Sequence, residues 1–316
     1  MKISIVIPTL NEANYLKKLV QNLLKSKNVI SEIFICDAGS TDGTIDIIEE
    51  LKKEDNCVKL INNKKKFVSY AFNEAYNQST GKYLALLGSH AFYPDKYLEN
   101  GLKYLESGEA DVIGGPLNQQ GNGENGNAIA LAMSSKFGVG DTEFRTSKKK
   151  QYVDSVAFAI YRKEIFEKIG LLNESLKRNQ DDELHYRIKA NGYKILMVPE
   201  MECTYFVRNS FKTLFKQYYG YGLYKPLVLK LVKQGLRIRH LIPAFFVLYL
   251  FLIPLIFYII GLWSLVPLGI YVFLAIYISS SVSKNVMPNL KIVYACLILH
   301  ISYGSGFLLG ISKRNI

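Results

Sequence analysis

Short apolar runs alternate with helical spacings along the first two thirds of the chain. "ISIVI" (3–7) reads as a strand buried on both faces, and Leu16, Leu19, Val20 and Leu23 then recur at the intervals of one helix face. "EIFIC" (32–36), "VKLI" (58–61), "YLALL" (83–87) and "DVIGG" (111–115) repeat the strand signal, and helices are predicted between them over 45–53, 68–78 and 95–106. Such alternation predicts an α/β, Rossmann-like domain whose mostly parallel sheet carries helices on both faces. Further on, "SVAFAIY" (155–161) and "KILMV" (194–198) predict strands, and 163–169 and 181–190 predict helices. The polar stretch "PLNQQGNGENGN" (116–127) predicts a mobile loop over a cleft. Its GxGxxG spacing fits a dinucleotide loop poorly, because the glycines come late and stand away from the preceding strand.

After residue 240 the pattern changes. No charged residue occurs from Leu241 to Ser283, which is room for two crossings of about 20 residues each. Ile292–Ser312 is a third uncharged stretch, closed by Lys313 and Arg314. The expected organisation is a globular domain over 1–207, a basic amphipathic segment over 208–240, and a membrane domain over 241–316 with hydrophobic segments near 241–261, 263–283 and 292–312. Within the basic segment Phe211, Leu214, Phe215 and Tyr218 share one helical stripe, and Pro226 separates this piece from a second, leucine-rich one. Both pieces read as helices in the membrane interface, or as helices packed on the globular domain. Two spans return the chain to the cytoplasm at Lys284. A full third span would carry Lys313 and Arg314 across, against the positive-inside tendency, so the third segment is expected to be re-entrant or shallow. His300 and Tyr303 within it face other helices or an acceptor.

Charge sharpens this division. The net charge is +12 at pH 7, yet every acid lies at or before Glu202 and the sequence up to that point is neutral. The excess therefore belongs to the C-terminal third, where it suits an anionic membrane surface and not nucleic acid. The four cysteines show no CxxC spacing, which argues against zinc sites and disulfide frameworks. The N-terminal apolar run is too short for a signal peptide, so the globular domain is expected in the cytoplasm of a multi-pass cell-membrane protein.

Candidate chemistry gathers at strand ends, where open α/β sheets bind ligands. "LALLGSHAFYP" (84–94) leaves its strand at Gly88, Ser89 and His90, and His90 is either a surface-turn residue or a ligand. Asp37 follows the second strand directly, with no local capping role evident. Asp42 is a helix cap or a nucleotide ligand. In "NQDDELHYRI" (179–188), Asp181, Asp182 and Glu183 open a helix; three consecutive acids cannot share one face, so one is free to point to a cleft while others pair with Arg187 or Arg178.

Taken together, "VIPTLNE" (6–12), "DAGSTDGT" (37–44) and "QDDELHYRIKANGY" (180–193) resemble, in order and spacing, the signatures of glycosyltransferase family 2, inverting enzymes of the GT-A fold. "NNKKKFVSYAFNEA" (62–75), "GSHAFYP", "ALAMSSKFGVG" (130–140), "RNQDDEL" (178–184), "KQYYGYG" (216–222) and "HISYGSGFLLG" (300–310) are similar to its membrane-anchored succinoglycan-biosynthesis branch. The resemblance implies that Pro8, Thr9, Glu12, Asp37 and Ser89 bind the nucleotide-sugar. Asp181 would be the general base, and Asp182 and Gln217 would meet the acceptor or diphosphate. A divalent metal, Mn²⁺ or Mg²⁺, would be held by His90. Implied partners are a UDP-sugar, a lipid-linked saccharide acceptor and the membrane.

Two departures qualify this. The family's D-x-D is here Gly88-Ser89-His90, and an imidazole suits Mn²⁺ better than the harder Mg²⁺. Gln217 is followed by Tyr218 and Tyr219 where processive synthases carry Arg and Trp, which argues against long-chain synthesis. The rival readings are a polyprenyl-phosphate sugar synthase and a non-catalytic membrane protein with a degenerate transferase fold.

Overall fold

The computed structural model describes residues 2–282 and 290–313. Ser283 as the end of the uncharged run, the return to the cytoplasm at Lys284, and Arg314 as a closing charge lie outside the described residues. The chain divides into two compact units. Residues 1–118 and 147–205 form the first; residues 119–146 and 206–316 form the second.

In the first unit β1 (Ile3–Thr9), β2 (Ile30–Asp37), β3 (Val58–Asn62) and β4 (Tyr83–Leu86) are parallel in the order β3–β2–β1–β4. Between them run α1 (Leu16–Leu24), α2 (Thr44–Glu54) and α3 (Val68–Gln78). Leu16, Leu19, Val20 and Leu23 are all buried on α1, as their spacing predicts. The two-residue β5 (Ala91–Phe92), α4 (Tyr97–Glu106) and β6 (Val112–Gly115) follow.

Residues 116–127 do not form the expected loop. Leu117–Gln120 is β7, joined to a second sheet of order β5–β11–β7, and α5 (Gly123–Ser134) starts inside the glycine run. The glycines serve backbone packing: a Cβ on Gly121 would stand 2.0 Å from the Gly126 carbonyl oxygen. Then come α6 (Lys136–Val139), α7 (Glu143–Thr146), β8 (Gln151–Tyr152), β9 (Ala157–Arg162), α8 (Ile165–Ile169), α9 (Gln180–Ala190), β10 (Ile195–Met197) and β11 (Cys203–Phe206). The large sheet continues from β4 through β9, β6 and β10 to β8. β9 is antiparallel to both β4 and β6, a reversal that an apolar run does not encode.

The second unit contains α10 (Phe211–Val232), α11 (Ile238–Ile260), α12 (Val266–Val282) and α13 (Leu290–Ser312). Pro226 does not divide α10: it is buried inside one continuous helix. Nor does α10 present the expected apolar stripe to a membrane surface, since Leu214 and Tyr218 are buried while Phe215 is exposed. Glycines explain the difference. A Cβ on Gly222 would stand 2.1 Å from the Tyr303 carbonyl oxygen, one on Gly306 2.2 Å from that of Tyr219, and one on Gly310 2.4 Å from that of Leu223. Bare backbone on both helices thus lets α10 and α13 approach closely, as small residues do between membrane helices.

Two stretches, Ile238–Val282 and Leu290–Ser312, are apolar and long enough to cross a membrane. The first is broken by a turn at Gly261, whose φ is 59°, and carries exposed Phe251, Tyr258, Ile259 and Trp263. The second is one unbroken helix, more than half buried. His300 on it is a packing residue: Nδ1 lies 2.9 Å from the Tyr271 hydroxyl and Nε2 2.8 Å from the Phe137 carbonyl oxygen.

Gly306→Ala should therefore lower the thermal stability of the detergent-solubilised protein clearly, whereas Gly269→Ala on α12, with open space around it, should leave it within about 0.5 kcal/mol. Equal melting curves for the two variants would contradict the close helix seam.

Candidate active site

β1 lies between β2 and β4, so the loops leaving the carboxyl ends of these three strands are neighbours. The chain's first connection runs to one side of β1 and β4 lies on the other, which makes this edge a topological switch point. Pro8 and Thr9 end β1 opposite Cys36 and Asp37. The first two loops are tied together: Ala38 N–H donates to the Thr9 carbonyl at 2.9 Å, Asn11 N–H to Ser40 Oγ at 2.8 Å, Thr41 N–H to Asn11 Oδ1 at 2.8 Å, and Glu12 N–H to Thr44 Oγ1 at 2.9 Å. Asn11 sits at φ 56°, a conformation that asparagine tolerates.

Asp37 does have a local role. Its carboxylate accepts from Gly39 N at 2.8 Å, Ser40 N at 3.0 Å and Ser40 Oγ at 2.5 Å, so the turn after β2 is built around it. Asp42 accepts from Thr44 N and Thr44 Oγ1 at the start of α2 and from Ala13 N in the neighbouring loop. The Thr44 hydroxyl bond holds its carboxyl below the usual carboxylate range. Lys66, which the strand and helix patterns did not single out, brings its ammonium 3.7 Å from where a Gly39 Cβ would stand.

The turn after β4 supplies the third side. Ser89 is buried. His90 is half-buried, its Nδ1 3.2 Å from Glu12 Oε1 and its ring 5.7 Å from that of Tyr205. The side-chain direction of Gly88 is filled. Its N–H donates to Tyr93 Oη at 2.7 Å, that hydroxyl donates to the Gly88 carbonyl, and a Cβ there would stand 2.5 Å from Phe158 Cε1. Phe158 holds this place at φ 52°, strain of about 1–3 kcal/mol for a bulky residue. Its carbonyl accepts from the buried Tyr97 hydroxyl at 2.6 Å. An aromatic ring thus stands where a first acid of D-x-D would project.

Among the described residues no three His, Cys, Asp or Glu side chains group to hold a metal ion. The imidazole of His90 is a single nitrogen donor, which fits a cation carried mainly on substrate phosphate oxygens and does not build a preformed cage.

Asp181 is exposed and Asp182 half-buried in the first turn of α9. Glu183 is the acid that pairs inward: it binds Arg187 through Nε at 2.7 Å and Nη2 at 2.8 Å, and Arg187 also donates to the carbonyls of Ile169, Gly170 and Leu171. Beneath the helix, fully buried His185 bridges Ser155 Oγ at 2.8 Å and Tyr161 Oη at 3.0 Å. Burial lowers its pKa to about 4 against the opposing charge of Asp182. Burial raises the Tyr161 hydroxyl, and the nearby charge of Asp181 adds to that. The buried histidine, invisible to spacing arguments, holds the helix that presents the two acids. Gln217 lies in the second unit, on α10, and donates to the Tyr221 hydroxyl at 3.0 Å.

Glycosyl transferase family 2 matches residues 4–170. The succinoglycan biosynthesis protein ExoA of Rhizobium meliloti (strain 1021) is 30% identical over 312 residues, covering 96% of this chain and 93% of that protein. The Methanococcus voltae dolichyl N-acetyl-α-D-glucosaminyl phosphate 3-β-D-2,3-diacetamido-2,3-dideoxy-β-D-glucuronosyltransferase is 28% identical over 336 residues, covering 99% of this chain and 98% of that enzyme. The structure of the mannosyltransferase PcManGT from Pyrobaculum calidifontis, in complex with GDP-Man and Mn²⁺, superposes with a TM-score of 0.58 at 15% identity, covering 98% of this chain and 84% of that one. The sheet and its helices have the GT-A fold.

Two measurements follow from this geometry. Gly88→Asp should destabilise the protein by about 1–3 kcal/mol through overpacking in urea melts, and Phe158→Ala should make the same change cheaper; identical losses in both backgrounds would show that the ring is not the obstacle. For His185, the unfolded chain takes up a proton below its ordinary value of 6.5 while the folded chain resists until about 4. Stability is thus full above 6.5 and falls through that window, by up to about 3 kcal/mol. In His185→Gln this slope should flatten, and an unchanged slope would contradict the assignment.

Proposed function

The chain belongs to glycosyl transferase family 2, and from that membership we propose that this glycosyltransferase moves a hexose from a UDP-sugar to a hydroxyl of a lipid-linked saccharide at the cytoplasmic face of the cell membrane. The observation that carries the proposal is the extent of likeness. The ExoA protein and the dolichyl-linked glucuronosyltransferase each align with more than nine tenths of this chain, apolar C-terminal helices included. The second of these is named for transfer to a lipid-linked sugar, which supports a saccharide acceptor over a bare polyprenyl phosphate. The stretch after Glu202, basic and without acids, and the exposed apolar side chains of α11 and α12 suit an enzyme that meets its acceptor at an anionic membrane, and a multi-pass topology is part of the same reading.

In the proposed reaction Asp37, oriented by its three hydrogen bonds, binds the nucleoside together with Pro8 and Thr9, and Ser89 lines the donor side. A sugar hydroxyl is too weak an acid to attack unaided. Asp181 accepts its proton as the new bond forms at the anomeric carbon, a contribution of about 10² to 10⁴ in rate. The bond to the diphosphate breaks on the opposite face, the electron pair leaves with the diphosphate, and configuration inverts. A bound divalent cation, Mn²⁺ in preference to Mg²⁺, would offset the charge on that leaving group, with Nε2 of His90 as its protein donor. Asp182 and Gln217 are the proposed contacts to acceptor or diphosphate.

Asp181→Asn should reduce transfer from UDP-hexose to a lipid-linked saccharide by at least about 10² while UDP binding by titration calorimetry stays within a few fold. Retained turnover in the purified variant would remove Asp181 from the role of base, and transfer to free polyprenyl phosphate alone would favour the synthase reading of the acceptor.

A further inference from the structure

Glu12 in the loop after β1 and His90 in the turn after β4 meet side chain to side chain, Nδ1 3.2 Å from Oε1. Glu12 is fixed from its own backbone: its N–H donates to Thr44 Oγ1, and its carbonyl accepts from Tyr15 and Leu16 at 3.0 Å each as α1 begins. Its side chain is 15% exposed against 33% for His90, so the carboxylate is the inner partner and the imidazole the outer one. The contact joins Nδ1 of His90 to a carboxylate oxygen, a pairing in which the ring nitrogen is the donor, and it leaves the other ring nitrogen, Nε2, turned away from Glu12. Among the described residues Nε2 has no hydrogen-bond partner. Gly88 offers no competing ligand, because the Phe158 ring occupies its side-chain space.

We propose that Glu12 is a positioning residue which fixes the tautomer and direction of His90, and that it does not touch the nucleotide. The proposal rests on the donor-site reading above and deepens it. With His90 as the proposed protein donor, its orientation decides how well a cation-bridged diphosphate is held. A carboxylate behind a ligating histidine raises the basicity of the ligand nitrogen, and removal of such a partner costs about 10- to 100-fold in metal affinity. Glu12 acts through His90 alone, and its contribution exists only when a cation is present.

The test uses the full chain in detergent and UDP as the probe, titrated calorimetrically with Mn²⁺ and again with chelator, for wild type, Glu12→Ala, Glu12→Gln, His90→Ala and the Glu12→Ala/His90→Ala pair. Expected in Mn²⁺ are losses of about 10- to 100-fold for Glu12→Ala and for His90→Ala, with no added loss in the double variant. In chelator all proteins should bind UDP alike. Glu12→Gln, whose amide oxygen still accepts from Nδ1–H, should recover most of the affinity and shows that the fold tolerates change at this position. A Glu12→Ala loss that persists in chelator, or that adds in full to His90→Ala, overturns the proposal by placing Glu12 on the nucleotide. Wild-type affinity indifferent to Mn²⁺ overturns it as well. Failure of wild type to bind either UDP or GDP under any condition instead removes the donor-site reading itself.

Discussion

The pairing of β1 between β2 and β4 is the constraint on which the chemistry depends. Each strand is largely buried, and Ser4 and Glu32 within β1 and β2 are consumed by hydrogen bonds to each other and to Thr80; at the carboxyl ends, where hydrogen bonding to neighbours stops, polar groups are exposed to a ligand. Parallel pairing puts three such ends side by side. The connections that leave them are then cross-braced by asparagine, serine and threonine side chains, Asn11 to Ser40 and Thr41, Thr44 to Glu12. These bonds satisfy backbone groups that the turns would otherwise leave to water, and they hold Asp37 and Glu12 with little freedom. A site assembled this way is largely preformed, which lowers the ordering cost of binding a flexible nucleotide.

Within that frame, position 88 shows how one residue type redirects a site. Glycine in place of an acid at a strand end leaves side-chain volume that does not stay empty, because interiors close-pack. Phe158, forced into a left-handed backbone conformation and anchored through Tyr97, fills it. The remaining polar group, His90, is then braced by Glu12 instead of by a second carboxylate ligand. An imidazole in place of a carboxylate is a nitrogen donor, which suits Mn²⁺ better than a cation that demands an all-oxygen shell.

The strands, the helices of the N-terminal half, the acids at the start of α9 and the apolar C-terminal stretches were legible from periodicity, because burial on one face or both imposes it. Sequence gave no access to contacts that join distant segments. Asp37 looked free of local duties because its partners are a backbone turn two and three residues on; Phe158 looked like one more apolar residue in an ordinary strand; and His185 looked like part of a charged helix although it is fully buried between Ser155 and Tyr161. The glycine run 121–126 misled for a related reason. Glycine marks close backbone approach as well as turns, and only the fold tells which.

The same ambiguity governs the second unit, where hydropathy alone separates lipid-facing from protein-facing helices poorly. α11, α12 and α13 are all apolar, but lipid tails are as apolar as leucine and give helices no hydrophobic reason to associate. What distinguishes α13 is its small residues, Gly304, Gly306 and Gly310, which let neighbouring backbone approach, and its His300, which meets Tyr271 and the Phe137 carbonyl. α11 and α12 instead carry large apolar side chains outward, among them Phe251, Tyr258 and Phe273. Proline in α10 is tolerated on the same logic, since the buried interior around Pro226 is set by contact with α13 rather than by propensity. The closing "HISYGSGFLLG" is therefore a packing seam first, and the outward apolar faces that are long enough to cross a membrane belong mainly to the helices beside it.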